Sequence, residues 1–280
     1  MDINQLKSIA SQVRRDIIRM VHGCQSGHPG GSLSTTDIVT ALYFDQMEID
    51  PAKFRMDGVG EDMFFLSNGH VSPMFYSVLA RRGYFPVSEL ATFRRLGTRL
   101  QGHPTTAEGL PGVRIASGSL GQGLSVANGA AQAKTLNADQ HLVFVMMGDG
   151  EQEEGQVWEA AMYAGAKHVD NLIAIIDYNK KQIDGPTDVV LNLGDMKAKY
   201  ESFGWQVIEL NGNDMADVVN CLKQARQNAH HGFPQLLLAH TEMGMGVDFM
   251  MGTHKWHGKA PDDEQAAKAL AQLEETLGDY

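Results

Sequence analysis

Cysteine, positive charge and long apolar runs are all scarce in this chain of 280 residues. Its two cysteines, Cys24 and Cys221, form no CxxC motif and no His/Cys ligand pattern, which argues against a disulfide framework and against zinc. No segment approaches the roughly 20 apolar residues of a membrane-spanning helix, and the N-terminal segment lacks the uninterrupted apolar stretch of a secretion signal. We therefore expect a cytoplasmic protein with no membrane segment.

Basic residues are outnumbered, since 23 Lys and Arg against 34 Asp and Glu give a net charge of −11 with His neutral. With no basic tract and no aromatic RNA-binding motif, nucleic acid is not an expected partner. An anionic ligand would have to be held by local positive charge or by backbone dipoles. The length is compatible with one large domain, and we expect a single domain over residues 1–280.

Glycine, by contrast, is abundant: 30 residues, where average usage would give about 20. The excess is clustered rather than spread along a linker, which marks the clusters as candidate site loops. They are SGHPGG (26–31), SNGH (67–70), QGHP (101–104), ASGSLGQG (116–123), GDG (148–150) and MGMG (243–246).

Apolar periodicity predicts short strands that alternate with helices. Strands are expected at Met63–Leu66, His141–Met147, Leu172–Asp177, Gln206–Leu210 and Gln235–Ala239. Helices are expected at 3–22, from a Ser34 cap through Leu42, at 71–82, from Gly121 to Asn137, and at 154–167, 214–229 and 262–277. This order is typical of βαβ units, so the predicted fold is α/β, with a mostly parallel sheet and helices on both faces.

Ligands of such sheets bind at the carboxyl ends of the strands, where this sequence places Gly148, Asp149 and Gly150. The glycines would let a bulky ligand approach the backbone, and the following helix start offers N–H groups to phosphate. Asp149 would repel phosphate unless a divalent cation lay between them. Magnesium takes such carboxylate and phosphate oxygens, and Asn179 follows the next strand, one βαβ crossover later.

The segment GDGEQEEGQVWEAAMYAGAKHVDNLIAIIDYNKKQIDG resembles the thiamine diphosphate motif, in which GDG is followed after about 30 residues by Asn. Within that superfamily the chain is most similar to the N-terminal, diphosphate-binding domain of transketolase. SGHPGG, SNGH, GHP, GSLGQG, DNLIAI and KWHGKAP occur in the family's order, and the resemblance covers nearly the whole chain. It implies a thiamine diphosphate-binding fold.

The resemblance implies thiamine diphosphate and Mg²⁺ as cofactors, with Ca²⁺ or Mn²⁺ as substitutes for the metal. Asp149, the side-chain oxygen of Asn179 and the backbone carbonyl of Lys181 would ligate the metal. Gly148 and Gly150 would give the diphosphate room. The remaining cofactor contacts implied are Gly118, Ser119 and Leu120 at the aminopyrimidine, Ile183 at the thiazolium, and His70 and His257 at the diphosphate.

Four histidines stand beside Gly or Gly-Pro at the end of a predicted element, which favours loops over the site. By the resemblance, His28, His103 and His257 face the substrate channel. His103 is expected at the donor's terminal hydroxymethyl group, and His28 and His257 near the acceptor aldehyde oxygen. Imidazole is suited to giving and taking the proton at the aldehyde oxygen because its pKa lies near neutrality.

Two acids of the 154–167 helix, Glu154 and Glu159, match glutamates that the family uses to link the two active sites of a dimer. We expect Glu154 to be functional. Glu151 and Glu153 fit better as an exposed acidic helix start that complements the helix dipole.

The resemblance also implies what this chain lacks. In the family, the glutamate that activates the cofactor lies in a pyrimidine-binding domain, and the sugar-phosphate arginines lie in the same missing half. We therefore expect the N-terminal subunit of a split transketolase, assembled with a C-terminal subunit, as a heterotetramer, on ketose and aldose phosphates. The alternative that this chain is a truncated part of a longer enzyme stays open.

Three alternatives compete with this interpretation. The α subunit of a 2-oxo-acid dehydrogenase also carries GDG and Asn, but lacks the SGHPGG and WHGKAP histidines. A non-catalytic cofactor-binding homologue would have lost acid–base residues that are present here. A dinucleotide oxidoreductase is disfavoured because Gly244-Met245-Gly246 lacks a third glycine, a following helix and a ribose-binding acid.

Overall fold

A five-stranded, fully parallel sheet with the strand order β1-β2-β3-β7-β6 forms the centre of the protein. The computed structural model describes all residues from 1 to 280. The strands are β1 Met63–Leu66, β2 Val143–Gly148, β3 Leu172–Tyr178, β4 Lys181–Gln182, β5 Gly185–Pro186, β6 Gln206–Asn211 and β7 Gln235–His240. The short strands β4 and β5 pair separately, as an antiparallel hairpin directly after β3.

Ten α-helices surround the sheet. They are α1 Ile3–Cys24, α2 Pro29–Ser34, α3 Thr36–Ala41, α4 Ser72–Arg82, α5 Gly123–Leu136, α6 Gly155–Ala166, α7 Thr187–Val190, α8 Met196–Ser202, α9 Met215–Asn228 and α10 Asp263–Gln272. Short 3₁₀ helices occur at Pro51–Lys53, Gly69–Val71, Val87–Thr92, Thr106–Glu108 and Gly150–Glu153, and a π-helical turn at Leu42–Gln46. None of these helices combines the length and apolar character needed to cross a lipid bilayer.

Both faces of the sheet are buried, which explains why its strands have continuous apolar sequences. Alternate side chains of β2 point to opposite faces. Phe144 and Met146 join the larger core beside α1, α3, α4 and α9, whereas Val143, Val145 and Met147 join a smaller core beside α5 and α6. The predicted α/β class, parallel sheet and helices on both faces are thus confirmed.

Two predicted helix boundaries are wrong. Ser34 does not cap a helix, because it is the last residue of α2, and its hydroxyl donates to Gly31 and Asp177 inside the protein. The last helix ends at Gln272 instead of 277, and the chain beyond it lies across α1, where Asp279 accepts from the Arg15 side chain (2.7 Å). Such long-range contacts leave no periodic signal in the sequence.

The packing of α6 allows a direct test of the fold. A Cβ on Gly165 would lie 1.7 Å from the carbonyl oxygen of Phe203, so helix and loop would have to separate. We predict that Gly165→Ala lowers the free energy of unfolding by about 1–3 kcal/mol, the usual cost of overpacking, in urea denaturation. Gly129→Ala in α5 is the matched control, since its Cβ would meet no atom within 4 Å. It should be neutral or stabilising by up to about 1 kcal/mol, and equal effects of the two substitutions would contradict the packing described.

Candidate functional site

The carboxyl ends of β2 and β3 bring together the two side chains predicted from the sequence to ligate a metal. Gly148 at the end of β2 pairs with Asp177 on β3, and the Asp149 N–H donates to the Asp177 carbonyl at 3.2 Å. The Lys180 N–H, next to Asn179, donates to the Asp149 carboxylate. One strand end therefore binds the other directly.

Asp149 is a buried carboxyl group, only 2% exposed. Its oxygens accept from the backbone N–H groups of Gly150 (2.8 Å) and Lys180. Burial, followed by the negative charge of Asp177, raises the pKa of Asp149 to about 7. Lys181, whose charge acts on Asp177, forms its ion pair with Glu242 at 3.1 Å. A cation bound at this point would stabilise the ionised form of Asp149.

Asp177 is not among the predicted site residues, yet it determines how the Asn179 side chain lies. The Asn179 Nδ2 donates to Asp177 Oδ2 at 2.8 Å, while Asn179 Oδ1 accepts from the Lys181 N–H at 2.9 Å. Asp177 is itself buried and accepts hydrogen bonds from Ser34 (2.8 Å) and Thr241. The amide oxygen is thereby directed away from Asp177. A terminal acid on an otherwise apolar strand was the only sequence signal for this role.

A cavity of about 350 Å³ opens beside these strand ends, within the size range of small-molecule sites. All predicted site residues except Ser119 and Glu159 line it: His28, His70, His103, His257, Gly118, Leu120, Gly148, Asp149, Gly150, Glu154, Asn179, Lys181 and Ile183. Ser119 is exposed on its turn outside the cavity, and Glu159 is exposed on α6. Glu154 is also exposed but lies in the wall of the cavity, whereas Glu159 does not line it.

The four loop histidines form one cluster. The ring centroid of His28 lies 5.2 Å from that of His70, 6.2 Å from His103 and 5.6 Å from His257, and the His70 and His257 rings stack at 5.1 Å. Burial is the main cause that lowers the pKa of all four, to about 4 for His28. At neutral pH each ring is uncharged, with one nitrogen that donates and one that accepts.

Several polar atoms of the cavity wall are buried without a hydrogen-bond partner. They are Nδ1 of His28 and of His257, Oδ1 of Asn68 and Oε1 of Glu153. Buried polar groups are normally paired, so these atoms indicate a polar ligand. A Cβ on Gly148 would approach only Asn68, at 3.9 Å, which leaves room beside the strand end. The buried Asp149 carboxylate at one end of the cavity fits a magnesium ion with its diphosphate. The neutral imidazoles at the other end fit an uncharged polar ligand.

Glu151 corrects the interpretation of the acidic segment after GDG. It is not an exposed helix start but is only 1% exposed. Its carboxylate accepts from the Ser67 hydroxyl and from the N–H groups of Gly121 (2.8 Å) and Gly148 (3.1 Å). Ser67 follows β1, Gly121 precedes α5 and Gly148 is the last residue of β2, so Glu151 joins two loops to the end of a strand. Glu153, by contrast, is partly exposed.

Comparison with known proteins agrees with this geometry. Residues 5–278 match the family model described as "Transketolase, thiamine diphosphate binding domain". The chain is 36% identical to a subunit of the apulose-4-phosphate transketolase of Phocaeicola vulgatus over 277 residues, covering 99% of this chain and 96% of the relative. It is 38% identical to "6-deoxy-6-sulfo-D-fructose transketolase subunit SqwG" of a Clostridium species over 270 residues, covering 96% of each.

Complete transketolases are similar to this chain over part of their length. The crystal structure of transketolase from Campylobacter jejuni superimposes with a TM-score of 0.89 and 32% identity, covering 98% of this chain and 43% of that one. Transketolase of Mus musculus is 32% identical, covering 97% of this chain and 42% of the relative. The chain thus spans about two fifths of these proteins and nearly all of the relatives named as subunits.

The three bonds to Glu151 lead to a prediction for Glu151→Gln. Either orientation of the amide places its nitrogen against a backbone donor, at Gly121 or at Gly148, so one N–H loses its acceptor. We expect the free energy of unfolding to fall by about 1–3 kcal/mol in urea denaturation. The exposed Glu264 of α10 offers a control, and Glu264→Gln should change little. Equal stability of both variants would show that Glu151 does not join the loops.

Proposed function

The chain belongs to the family of transketolase thiamine diphosphate-binding domains, and from this premise we propose that it is the N-terminal subunit of a split transketolase. It would transfer a two-carbon ketol unit from a ketose to an aldose, both phosphorylated, in the cytoplasm. The juxtaposition of Asp149 and Asn179, joined through Lys180 and Asp177 at two adjacent strand ends, is the observation that carries this proposal.

The metal end of the cavity would hold Mg²⁺ through Asp149, the Asn179 side-chain oxygen and the Lys181 carbonyl. These are the oxygen ligands that magnesium takes in proteins, and they leave positions for diphosphate oxygens and water. Gly148, where a Cβ would meet only Asn68 at 3.9 Å, would give the diphosphate room, whereas a Cβ on Gly150 would lie 2.7 Å from Oε1 of Gln182. Gly150 and His70, which also line the cavity, would lie beside the diphosphate. When bound, thiamine diphosphate would supply the electron sink that cleavage of a ketose between C2 and C3 requires and that no side chain provides.

The other half of the cofactor would contact Gly118, Ser119 and Leu120, with Ile183 against the thiazolium. Gly118 has φ +123° and a Cβ there would lie 2.8 Å from the His103 ring. Only glycine therefore lets the turn and the His103 loop lie this close together. Ile183 is 62% exposed and lies on the rim of the cavity, where a ligand could cover it.

His28, His103 and His257 would transfer protons to and from the substrates. Their lowered pKa values keep the rings neutral at pH 7, so each can accept a proton from a hydroxyl group or donate one through its N–H. Acid–base groups of this kind contribute about 10²–10⁴-fold to a rate. Glu154, in the cavity wall, and Glu159, on the exposed face of α6, are proposed to link two active sites of an assembled enzyme.

A partner chain would complete the enzyme. The two relatives of matching length are named as subunits, and complete transketolases are more than twice as long as this chain. We propose a C-terminal subunit that carries the pyrimidine-binding domain, in a heterotetramer. The relatives are named for apulose 4-phosphate and for a sulfo-fructose, so subunits of this length are named for more than one sugar.

Calorimetric titration of the chain with thiamine diphosphate, with and without magnesium, tests the metal end of the site. We predict magnesium-dependent binding of thiamine diphosphate. In Asp149→Asn the affinity should fall by about 10-fold to 100-fold, because the amide removes the charge that holds the cation. The control is Glu201→Gln, an exposed acid on α8, which should bind like the parent. Unchanged binding by Asp149→Asn would contradict the proposed metal ligands.

Assembly is tested by mixing the purified chain with the product of a neighbouring transketolase C-terminal reading frame. We predict that ketol transfer, followed with a panel of ketose donors and aldose acceptors, appears only in the mixture. Oxidation of 2-oxo acids by the mixture would instead support the dehydrogenase alternative, and full turnover by the isolated chain would refute the need for a partner.

A further inference from the structure

Arg94 has an unusual backbone conformation immediately behind the histidine cluster. Its φ of 57° lies in the left-handed region, which residues other than glycine rarely adopt. The Arg94 N–H donates to the Leu100 carbonyl at 2.9 Å, closing the loop that leads to His103. Strain of this kind persists only where surrounding contacts impose it, and it clusters at functional sites.

The Arg94 guanidinium connects the two loops that carry His28 and His103. Nη1 donates to the Ser26 hydroxyl oxygen at 2.9 Å, two residues before His28, and Nη2 donates to the Gly102 carbonyl at 3.3 Å, one residue before His103. A Cβ on Gly102 would lie 2.8 Å from Cζ of Arg94. The planar guanidinium therefore lies against a residue that has no side chain.

The charge of Arg94 acts on the same two rings. After burial, its positive charge is among the causes that lower the pKa of His28, beside the rings of His257 and His103, and it is the charged group that lowers the pKa of His103. The His70 ring also faces His28. His257 differs, since the charged groups that act on it are Asp184 and His254.

We propose that Arg94 is a positioning residue, whose guanidinium fixes the separation of His28 and His103 by binding both of their loops. Arginine suits this task because its donors form a rigid fork, whereas lysine offers one flexible point of contact. The importance of this arrangement for turnover rests on the proposed function. The arrangement itself can be measured on the isolated chain.

The first experiment follows the four rings by NMR in the isolated chain labelled with ¹³C-histidine, without cofactor or partner. In Arg94→Met we expect the pKa of His28 to rise from about 4 toward the ordinary value, together with that of His103, because a nearby positive charge is lost. His257 serves as internal control and should keep its pKa. Arg95→Met is the matched control, since Arg95 is exposed, and should leave all four unchanged. Unaltered titration of His28 and His103 in Arg94→Met would overturn the proposal.

The second experiment covers the case in which Arg94→Met does not fold. Arg94→Lys keeps the positive charge but cannot bind Ser26 and Gly102 together. Ser26→Ala removes the hydroxyl group that accepts from Arg94. With the partner present, both should lower kcat/KM by about 10-fold to 100-fold, the effect of displacing a group by about 1 Å, and added guanidinium should partly rescue Arg94→Lys. Parent-like kcat/KM in both would overturn the positioning role. Absence of ketol transfer in the parent mixture would instead refute the proposed function and leave the NMR result standing.

Discussion

Two buried carboxyl groups at adjacent strand ends are the constraint on which the site depends. Asp149 and Asp177 are each 2% exposed, and burial raises the pKa of both. Charged groups are costly to bury unless they are paired, so this end of the sheet is suited to a cation. Asp177 is satisfied by Ser34, Thr241 and Asn179, which leaves Asp149 as the carboxylate available to a metal.

Glu151 shows how another buried acid, two residues further along the chain, serves a different purpose. Its carboxylate accepts hydrogen bonds from Ser67, Gly121 and Gly148, so both of its oxygens are bound within the protein. Asp149, by contrast, has only two backbone donors. The same acidic segment thus contains one group that fixes the loops around the cavity and one that can face a ligand.

The sequence was most informative where local pattern decides the structure. Apolar runs buried on both faces identified the strands, strand ends identified Asp149 and Asn179, and neighbouring glycines at the ends of predicted elements identified the loop histidines. It was least informative where residues far apart in sequence meet. The Ser67–Glu151 bond spans 84 positions and made an apparently exposed acid a buried one, while the contact of Arg94 with Ser26 spans 68. Neither leaves a periodic or spacing signal, because each depends on how loops pack after the sheet has formed.

The most direct measurement is a crystal structure of this chain with magnesium and thiamine diphosphate. The account predicts an octahedral ion about 2.0–2.1 Å from an Asp149 carboxylate oxygen, the Asn179 side-chain oxygen and the Lys181 carbonyl, with the diphosphate completing its shell. A diphosphate bound elsewhere, or an ion that leaves Asp149 and Asn179 without contact to it, would contradict the account.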